Sequence, residues 1–523
     1  MPVRNRLILL VAFSSLAFLA ACGNGGNRVT PPPTGSFSNS DLNGTYVFSA
    51  TGTNASGLFF TAVGSFQANG SGGITGGALD LNDAGLGVLL LTINNSSYKV
   101  TSDGRGTATL VTSQGNLGLD FVLTSSSHGL VIRFDNSGSG SGSLDLQSAV
   151  TQSQLAGSYA LNLSGVDQTF TNPLASVAGF TLDSAGNITT GVQDINDFGT
   201  ALAALSLSGT VPVGSAGLPG VGQLVTSTTL GTLQFDVFVI DANHIKFIEI
   251  DSTAILSGDA FSQSASFPTG PTVFTMAGLD FIPTQPVPFV AGGFMVSDGA
   301  GNIMSTSTED VNDAGNVAQV ASFAGSYSPL SGGRSVLTLI GFNNASLVNT
   351  STFAAYPSSG GVQMLEIDGN GITSGFALPQ TGTLLGSAQG YGLNLTASNS
   401  NGFEEDDIAE FTHTNGNFSG LIDINDQGAT TFGHSFTGTY TADSTNSGRA
   451  VISTNAFNLV SYVVSGSSVL FIETDSNQVG LGAFQVQTPS TTTMAASHLA
   501  ALHAASHPHA SRRSKRAGRV GRL

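Results

Sequence analysis

Asp80-Leu81-Asn82-Asp83-Ala84-Gly85, Asp194-Ile195-Asn196-Asp197-Phe198-Gly199, Asp310-Val311-Asn312-Asp313-Ala314-Gly315 and Asp423-Ile424-Asn425-Asp426-Gln427-Gly428 are four renderings of one hexapeptide: Asp, apolar, Asn, Asp, any residue, Gly. Their first aspartates stand 114, 116 and 113 residues apart. Spacing this regular marks a chain built by internal repetition, and the period is too long for a solenoid turn of roughly 20–50 residues but right for a small domain.

Downstream of each hexapeptide a second marker closes the unit: an Asp, a Gly seven residues on and a Gln five further. The sets are Asp135/Gly142/Gln147, Asp251/Gly258/Gln263, Asp368/Gly375/Gln380 and Asp475/Gly482/Gln487. Upstream, Gly44-Thr45-Tyr46, Gly157-Ser158-Tyr159 and Gln389-Gly390-Tyr391 open copies one, two and four, while copy three has Gly270-Pro271-Thr272. These markers predict units at 44–147, 157–263, 270–380 and 390–487, each of about 105 residues.

Within a unit, stretches such as Phe66 to Ile74, Phe180 to Ile188 and Phe294 to Ile303 read as strand, Gly/Asn turn, strand, running straight into the hexapeptide. The composition agrees: 68 Gly, no Trp, 9% charged and 40% hydrophobic residues suit many short strands joined by turns. The predicted class is all-β, four tandem antiparallel meanders of seven or eight strands. A meander of eight removes its sticky edges by closing, so an eight-stranded barrel is preferred, with a β sandwich as the alternative. The early Gly-x-aromatic followed by hairpins is similar in architecture to the calycin barrels, lipocalins and avidins included. Those families carry Trp where Tyr46, Tyr159 and Tyr391 stand here.

The N-terminus supplies a second resemblance. Arg4 and Arg6 precede an apolar run from Leu7 to Ala20, which ends in Leu19-Ala20-Ala21-Cys22. This resembles the lipobox of bacterial lipoproteins. The resemblance implies a signal peptide over 1–21, cleavage before Cys22 and lipid on its thiol. It also implies a membrane partner reached through that lipid, and Gly23 rather than Asp after the cysteine favours the outer membrane. Cys22 is the sole cysteine, so the body holds no disulfide and no catalytic thiol. Residues 22–43, with Pro31-Pro32-Pro33, read as a stalk.

Charge is segregated. Residues 23–487 carry seven basic against 33 acidic side chains, a formal charge of −26, which excludes nucleic acid as a partner of the body. Residues 488–523 gather His498, His503, His507 and His509 ahead of Arg512, Arg513, Lys515, Arg516, Arg519 and Arg522. This segment reads as a disordered, solvated tail; anionic lipopolysaccharide, nucleic acid or the acidic body itself are its candidate partners.

The hexapeptide has two chemical readings. The preferred one is a hairpin turn in which Asn and Asp bond their own backbone and Gly takes positive φ. The other is a calcium loop with ligands from Asp80, Asn82, Asp83, Asp194, Asn196, Asp197, Asp310, Asn312, Asp313, Asp423, Asn425 and Asp426. It partly resembles EF-hand and dockerin loops, but no bidentate Glu follows at their spacing. Glu249/Asp251, Glu366/Asp368 and Glu473/Asp475 lie two apart, as a glycosidase pair might be carried, but copy one has Arg133 in the Glu position. These pairs read as solvated strand edges, and Glu404-Glu405-Asp406-Asp407 as a solvated loop. His128, His244, His413 and His434 read as occupying no shared position. No His-Glu-x-x-His, Gly-x-Ser-x-Gly or phosphate-binding loop is present, so no catalytic residue and no cofactor other than calcium is expected. The expected function is a lipid-anchored, non-catalytic array for multivalent binding, adhesion or structure in the cell envelope, with an unidentified envelope or extracellular ligand. The alternatives are carriage of small apolar or saccharide ligands inside each barrel, and an envelope hydrolase in a diverged copy.

Overall fold

The computed structural model describes residues 36–489 except 216, 227–229, 265, 282–285, 344–349 and 400–401. The expected signal peptide, Cys22, most of the expected stalk and the basic segment from residue 490 lie outside the described residues.

Each repeat is an antiparallel meander whose last strand returns to pair with its first. In barrel 2 the strands are Gly157–Val166, Pro173–Leu182, Ile188–Asp197, Thr200–Thr210, Gly220–Thr226, Thr232–Asp241, His244–Glu249 and Ile255–Ser262. The eighth closes on the first with Tyr159 opposite Ser262 and Leu163 opposite Gly258. Barrels 3 and 4 repeat this order over Gly270–Pro379 and Gln389–Val486. Barrel 1, over Asn43–Leu146, has its fourth strand broken into Gly87–Ile93 and Ser96–Val100, both paired to the third strand, so the sheet still closes through eight strand positions.

The closing marker has a physical cause at every residue. Its Asp lies at the turn after the seventh strand and accepts the backbone N–H at or near the start of the sixth: Gly118 to Asp135, Gln234 to Asp251, Thr352 to Asp368 and Asn458 to Asp475. Its Gly lies where the eighth strand closes on the first. A Cβ on Gly142, Gly258, Gly375 or Gly482 would collide with the carbonyls of Ser49, Asn162, Thr275 or Asn394. Its Gln leaves the barrel altogether.

Period-two alternation fills each interior. Tyr46, Phe48, Phe60, Phe66 and Phe121 pack inside barrel 1, and Tyr391, Phe411, Phe418, Phe436, Phe471 and Phe484 inside barrel 4. The opening tyrosines stack on the second strand (Tyr46 on Phe66, Tyr159 on Phe180, Tyr391 on Phe411). The hydroxyls of Tyr46 and Tyr159 donate to the carbonyls of Ser126 and Ala242 at the turn before the seventh strand.

The barrels are not beads on a string. Val47 and Val63 of barrel 1 pack on Phe238, Ile240 and Ile248 of barrel 2; Ala160 and Val177 of barrel 2 pack on Tyr356 and Leu365 of barrel 3. Val273, Val290 and Phe294 of barrel 3 meet Val460, Tyr462, Leu470 and Ile472 of barrel 4. Ile408 of barrel 4 completes the cycle against Val122, Leu130 and Ile132 of barrel 1. Each barrel offers its early strands to the late strands of the next, a head-to-tail contact that closes after four steps.

Candidate functional site

The hexapeptide lies at these junctions. It ends the third strand and turns into the fourth: in copies two to four the loop is two residues long, between Asp197 and Thr200, Asp313 and Asn316, and Asp426 and Ala429. Both loop residues have positive φ (Phe198 47°, Gly199 85°; Ala314 49°, Gly315 91°; Gln427 46°, Gly428 92°), a mirror-type turn that matches strand twist. The Gly N–H donates to the motif Asn (Gly199 to Asn196, Gly315 to Asn312, Gly428 to Asn425). Copy one, with the same residue types, makes a three-residue loop between Asp83 and Gly87, held by N–H groups of Gly85 and Leu86 on Asp83.

The other atoms of the motif face the next barrel. Asn82 Nδ2 donates to the carbonyls of Glu249 and Ala254; Asn196 to those of Glu366 and Gly371; Asn312 to those of Glu473, Asp475 and Gln478; Asn425 to those of Arg133 and Gly138. Two acceptor positions recur at all four junctions, on either side of the turn between the seventh and eighth strands. The closing Gln adds a parallel contact: Gln147 to Val239 O, Gln263 to Gly332 O, Gln380 to Ser447 O and Val463 O, Gln487 to Asp103 O and Leu123 O. Amides that donate to backbone carbonyls across a junction contribute about 1 kcal/mol each and fix the docking register.

In copies two, three and four the first Asp of the motif takes an arginine. Arg334 Nε and Nη2 reach Asp194 at 2.7 and 2.6 Å, and Arg449 reaches Asp310 at 2.9 and 2.7 Å, both bidentate and buried. The hydroxyls of Tyr356 and Tyr462 donate to the same carboxylates at 2.6 and 2.7 Å. Burial, and then the adjacent aspartate, hold both phenols protonated. At the junction of barrels 4 and 1, Arg105 Nη1 contacts both oxygens of Asp423, with Asp120 beside the pair and its pKa raised by burial and then by Asp423. The N–H groups of Ala204, Val320 and Gly433, at a bulge ten residues on, complete the sites. The recurring Gly-Arg-small tripeptide at Gly104-Arg105-Gly106, Gly333-Arg334-Ser335 and Gly448-Arg449-Ala450 is the sequence signal for these arginines.

Among the described residues no group of three or more His, Cys, Asp or Glu is arranged to hold a metal ion. Asp83, the second acid of copy one, accepts instead from Asn54 Nδ2 and from the N–H groups of its own loop. The acid pairs correct their reading as solvated edges. Glu249, Glu366 and Glu473 are buried, because their strands' alternation places them on the interior face with Phe247, Met364 and Phe471. Burial, and then the nearby Asp251, push the Glu249 carboxyl up to about 10; Glu366 and Glu473 are raised for the same reasons. Glu404 to Asp407 is likewise no solvated loop: it begins the second strand of barrel 4, Glu404–Thr414, with Asp406 and Asp407 buried. A substrate sugar has no path to carboxyls exposed by only 1%, as Asp407 and Glu473 are. The histidines correct a further expectation, since His128 and His244 both begin a seventh strand and sit 2.7 Å from Asp145 and Asp259 of the adjacent eighth strand.

No protein family matches the chain, and no curated protein does. Among solved structures, an alanine mutant of the vaccine antigen transferrin binding protein B from Haemophilus parasuis is similar over 73% of this chain and 83% of its own, at 8% identity and a TM-score of 0.18. A double mutant of that antigen covers 69% and 83% at 11% identity and a TM-score of 0.17. Likeness at this level assigns neither family nor function.

Proposed function

We propose that the chain is a lipid-anchored, non-catalytic platform of the cell envelope, in which four filled barrels locked into a ring present a repeated rim to a ligand outside the membrane. The observation that carries this reading is where the recurring residues are used: Asn and Gln of every copy and the first Asp of copies two to four join barrels, and aromatic side chains fill the barrels. Carriage of a small molecule inside each barrel would need room that Phe48, Phe60, Phe66 and Phe121 and their counterparts occupy. The rim is the hexapeptide turn with the fourth strand, where copies one to four expose Leu86 and Leu90, Phe198 and Leu202, Val320, and Phe432. Weak contacts repeated on one rigid body give avidity through effective concentration.

Binding of the full chain to outer-membrane, peptidoglycan and extracellular-matrix preparations tests the reading. Leu90→Asp, Leu202→Asp and Val320→Asp should each weaken binding a few-fold, and the triple variant by roughly a hundred-fold or more. A single variant that abolishes binding would instead point to one specialised copy. The anchor is tested separately: Cys22→Ala should eliminate palmitate labelling and release the protein from membranes. Millimolar calcium should leave the melting temperature unchanged, and a rise of several degrees would return the hexapeptide to the cation-loop reading.

A further inference from the structure

The four barrels point the same way. At every junction the closing Gln docks on one end of the next barrel and the motif Asn on the other. The ring therefore has a Gln end and a hexapeptide end. Both segments that flank the ring leave from the Gln end, beside a single turn of barrel 1. The N–H of Phe37 donates to the carbonyl of Ser102, and Gln487 Nε2 donates to that of Asp103. A Cβ on the next residue, Gly104, would stand 2.5 Å from Gln487 Nε2 and 2.9 Å from the Phe37 ring.

The Gln end also presents apolar side chains to solvent. Leu218, in the loop before the fifth strand of barrel 2, is 52% exposed; Leu330, in the same loop of barrel 3, is 50% exposed. Leu384, in the linker that leads into barrel 4, is 69% exposed. Each barrel other than the one beside the chain exits is thus served by one exposed leucine at this end. Five acids that are not buried lie at turns of the same end, Asp103, Asp183, Asp241, Asp298 and Asp443, and each accepts a backbone N–H of its own turn. Lys99 is exposed near them. The six basic residues from Arg512 to Arg522 follow Gln487 out from this end, with charge opposite both to these acids and to an anionic lipid surface.

We propose that the Gln end is the face on which the ring rests against an anionic lipid bilayer, with Leu218, Leu330 and Leu384 entering the headgroup region and the basic segment bridging to the headgroups. The hexapeptide rim then faces away from the membrane. This rests on the reading of Cys22 as the lipid anchor. Chain length favours the orientation. The 14 residues from Cys22 to Gly35 span about 20 Å as a flexible coil. Turning the hexapeptide end to the bilayer would draw them along the whole barrel wall, where the 12-residue strand Asn43–Asn54 rises about 30 Å at a tilt of about 40°. Each half-exposed leucine that enters the interface favours the resting state by roughly five- to ten-fold.

Fluorescence quenching on vesicles reads the resting face. The full lipidated chain is reconstituted into vesicles of equimolar phosphatidylcholine and phosphatidylglycerol. Cys22 is the sole cysteine and carries the lipid, so a fluorophore attaches only to an introduced thiol. Ser184→Cys at the Gln end and Ser252→Cys at the hexapeptide end, both in barrel 2, are labelled separately. Nitroxide-bearing headgroups should quench the label at 184 and spare that at 252. Leu218→Asp, Leu330→Asp and Leu384→Asp together should abolish the quenching while the chain still floats with the vesicles. If that triple variant does not fold, Leu384→Asp alone should weaken quenching several-fold. Replacing the six basic residues with Gln should reduce quenching on the mixed vesicles and leave it unchanged on pure phosphatidylcholine. The proposal is overturned if the label at 252 is quenched as much as that at 184, if the leucine variants behave as the native chain, or if the Gln-substituted tail changes nothing on the mixed vesicles. A floating chain quenched at neither position overturns the resting face alone. A chain that does not float overturns the lipid-anchored reading together with it.

Discussion

The junction of barrels 3 and 4 and the junction of barrels 1 and 2 share one docking geometry and differ in what holds it. Both use the motif Asn on the carbonyls either side of the turn after the seventh strand, and both use the closing Gln. The first adds a bidentate Arg449–Asp310 pair, a tyrosine hydroxyl and a seam running from Val273 to Ile472. The second has two smaller apolar clusters, Val47 and Val63 on Phe238, Ile240 and Ile248, and Phe59 on Val166 and Ile255, and in place of an ion pair two buried acids, Asp80 and Asp236, each raised first by burial. Hydrogen bonds to backbone thus specify how one barrel meets the next and recur at all four junctions. Ion pairs and apolar area set how strongly it is held, and they vary from junction to junction.

The widest separation between the two junctions should come from removing the first motif aspartate. Asp310→Ala leaves the Arg449 guanidinium buried without its carboxylate, a loss of about 3–5 kcal/mol. Asp80→Asn removes no cationic partner and should cost under about 1 kcal/mol. Calorimetry of the two variants decides: equal destabilisation would mean that the charge pair is not what distinguishes the junctions.

Protonation gives the next effect. Glu249, pushed to about 10, and Glu366, Glu473 and Asp407, raised mainly by burial, keep protons in the fold and lose them in the unfolded chain above the ordinary carboxylate range. Their stabilisation is complete below about pH 4.5 and is lost as pH rises toward the folded values, by about 1.4 kcal/mol per pH unit for each group. Asp145 and Asp259 are raised by burial but brought lower overall by His128 and Lys246 respectively, so they are ionised in both states from pH 5 to 8 and leave the slope unchanged. The melting temperature should therefore be higher at pH 5 than at pH 8, and Glu249→Gln should flatten the slope. A melting temperature that falls on acidification over this range would refute the buried-acid account.

Docking hydrogen bonds come third. Asn312→Ala and Asn82→Ala should each cost about 1–3 kcal/mol in urea unfolding, because each leaves buried carbonyls unpaired. Here the two junctions should agree. A large difference between them would show that the shared geometry is not equally shared in energy.

The all-β class, the four-fold period and closure into barrels were legible because hairpin punctuation and the returning eighth strand are local and periodic features. The ring was not, because its acceptors are backbone carbonyls such as those of Glu366 and Gly371, which carry no sequence signature. Two signals were nevertheless present. Gly-Arg-small recurs 24–26 residues after the first motif Asp in three copies, among only seven basic residues of the body. Strands such as Thr232–Asp241 and Ser468–Glu473 are apolar on both faces, the pattern of a sheet covered on each side. The acid pairs were misread because charge was equated with solvent. Alternation already placed Glu473 on the face of Phe471, where a carboxyl that keeps its proton can remain.

The smallest effect tests the turns. Ala314 holds φ of 49° in a two-residue loop, where a side chain other than Asn or Gly is strained, whereas in copy one the positive φ falls on Gly87 and Ala84 lies in a wider loop. Ala314→Asn should therefore stabilise by about 0.5–1 kcal/mol, and Ala84→Asn should be neutral. Paired melting curves decide the matter. A gain at Ala84 equal to that at Ala314 would mean that the two loops do not differ in solution, and that one hexapeptide folds the same way at all four junctions.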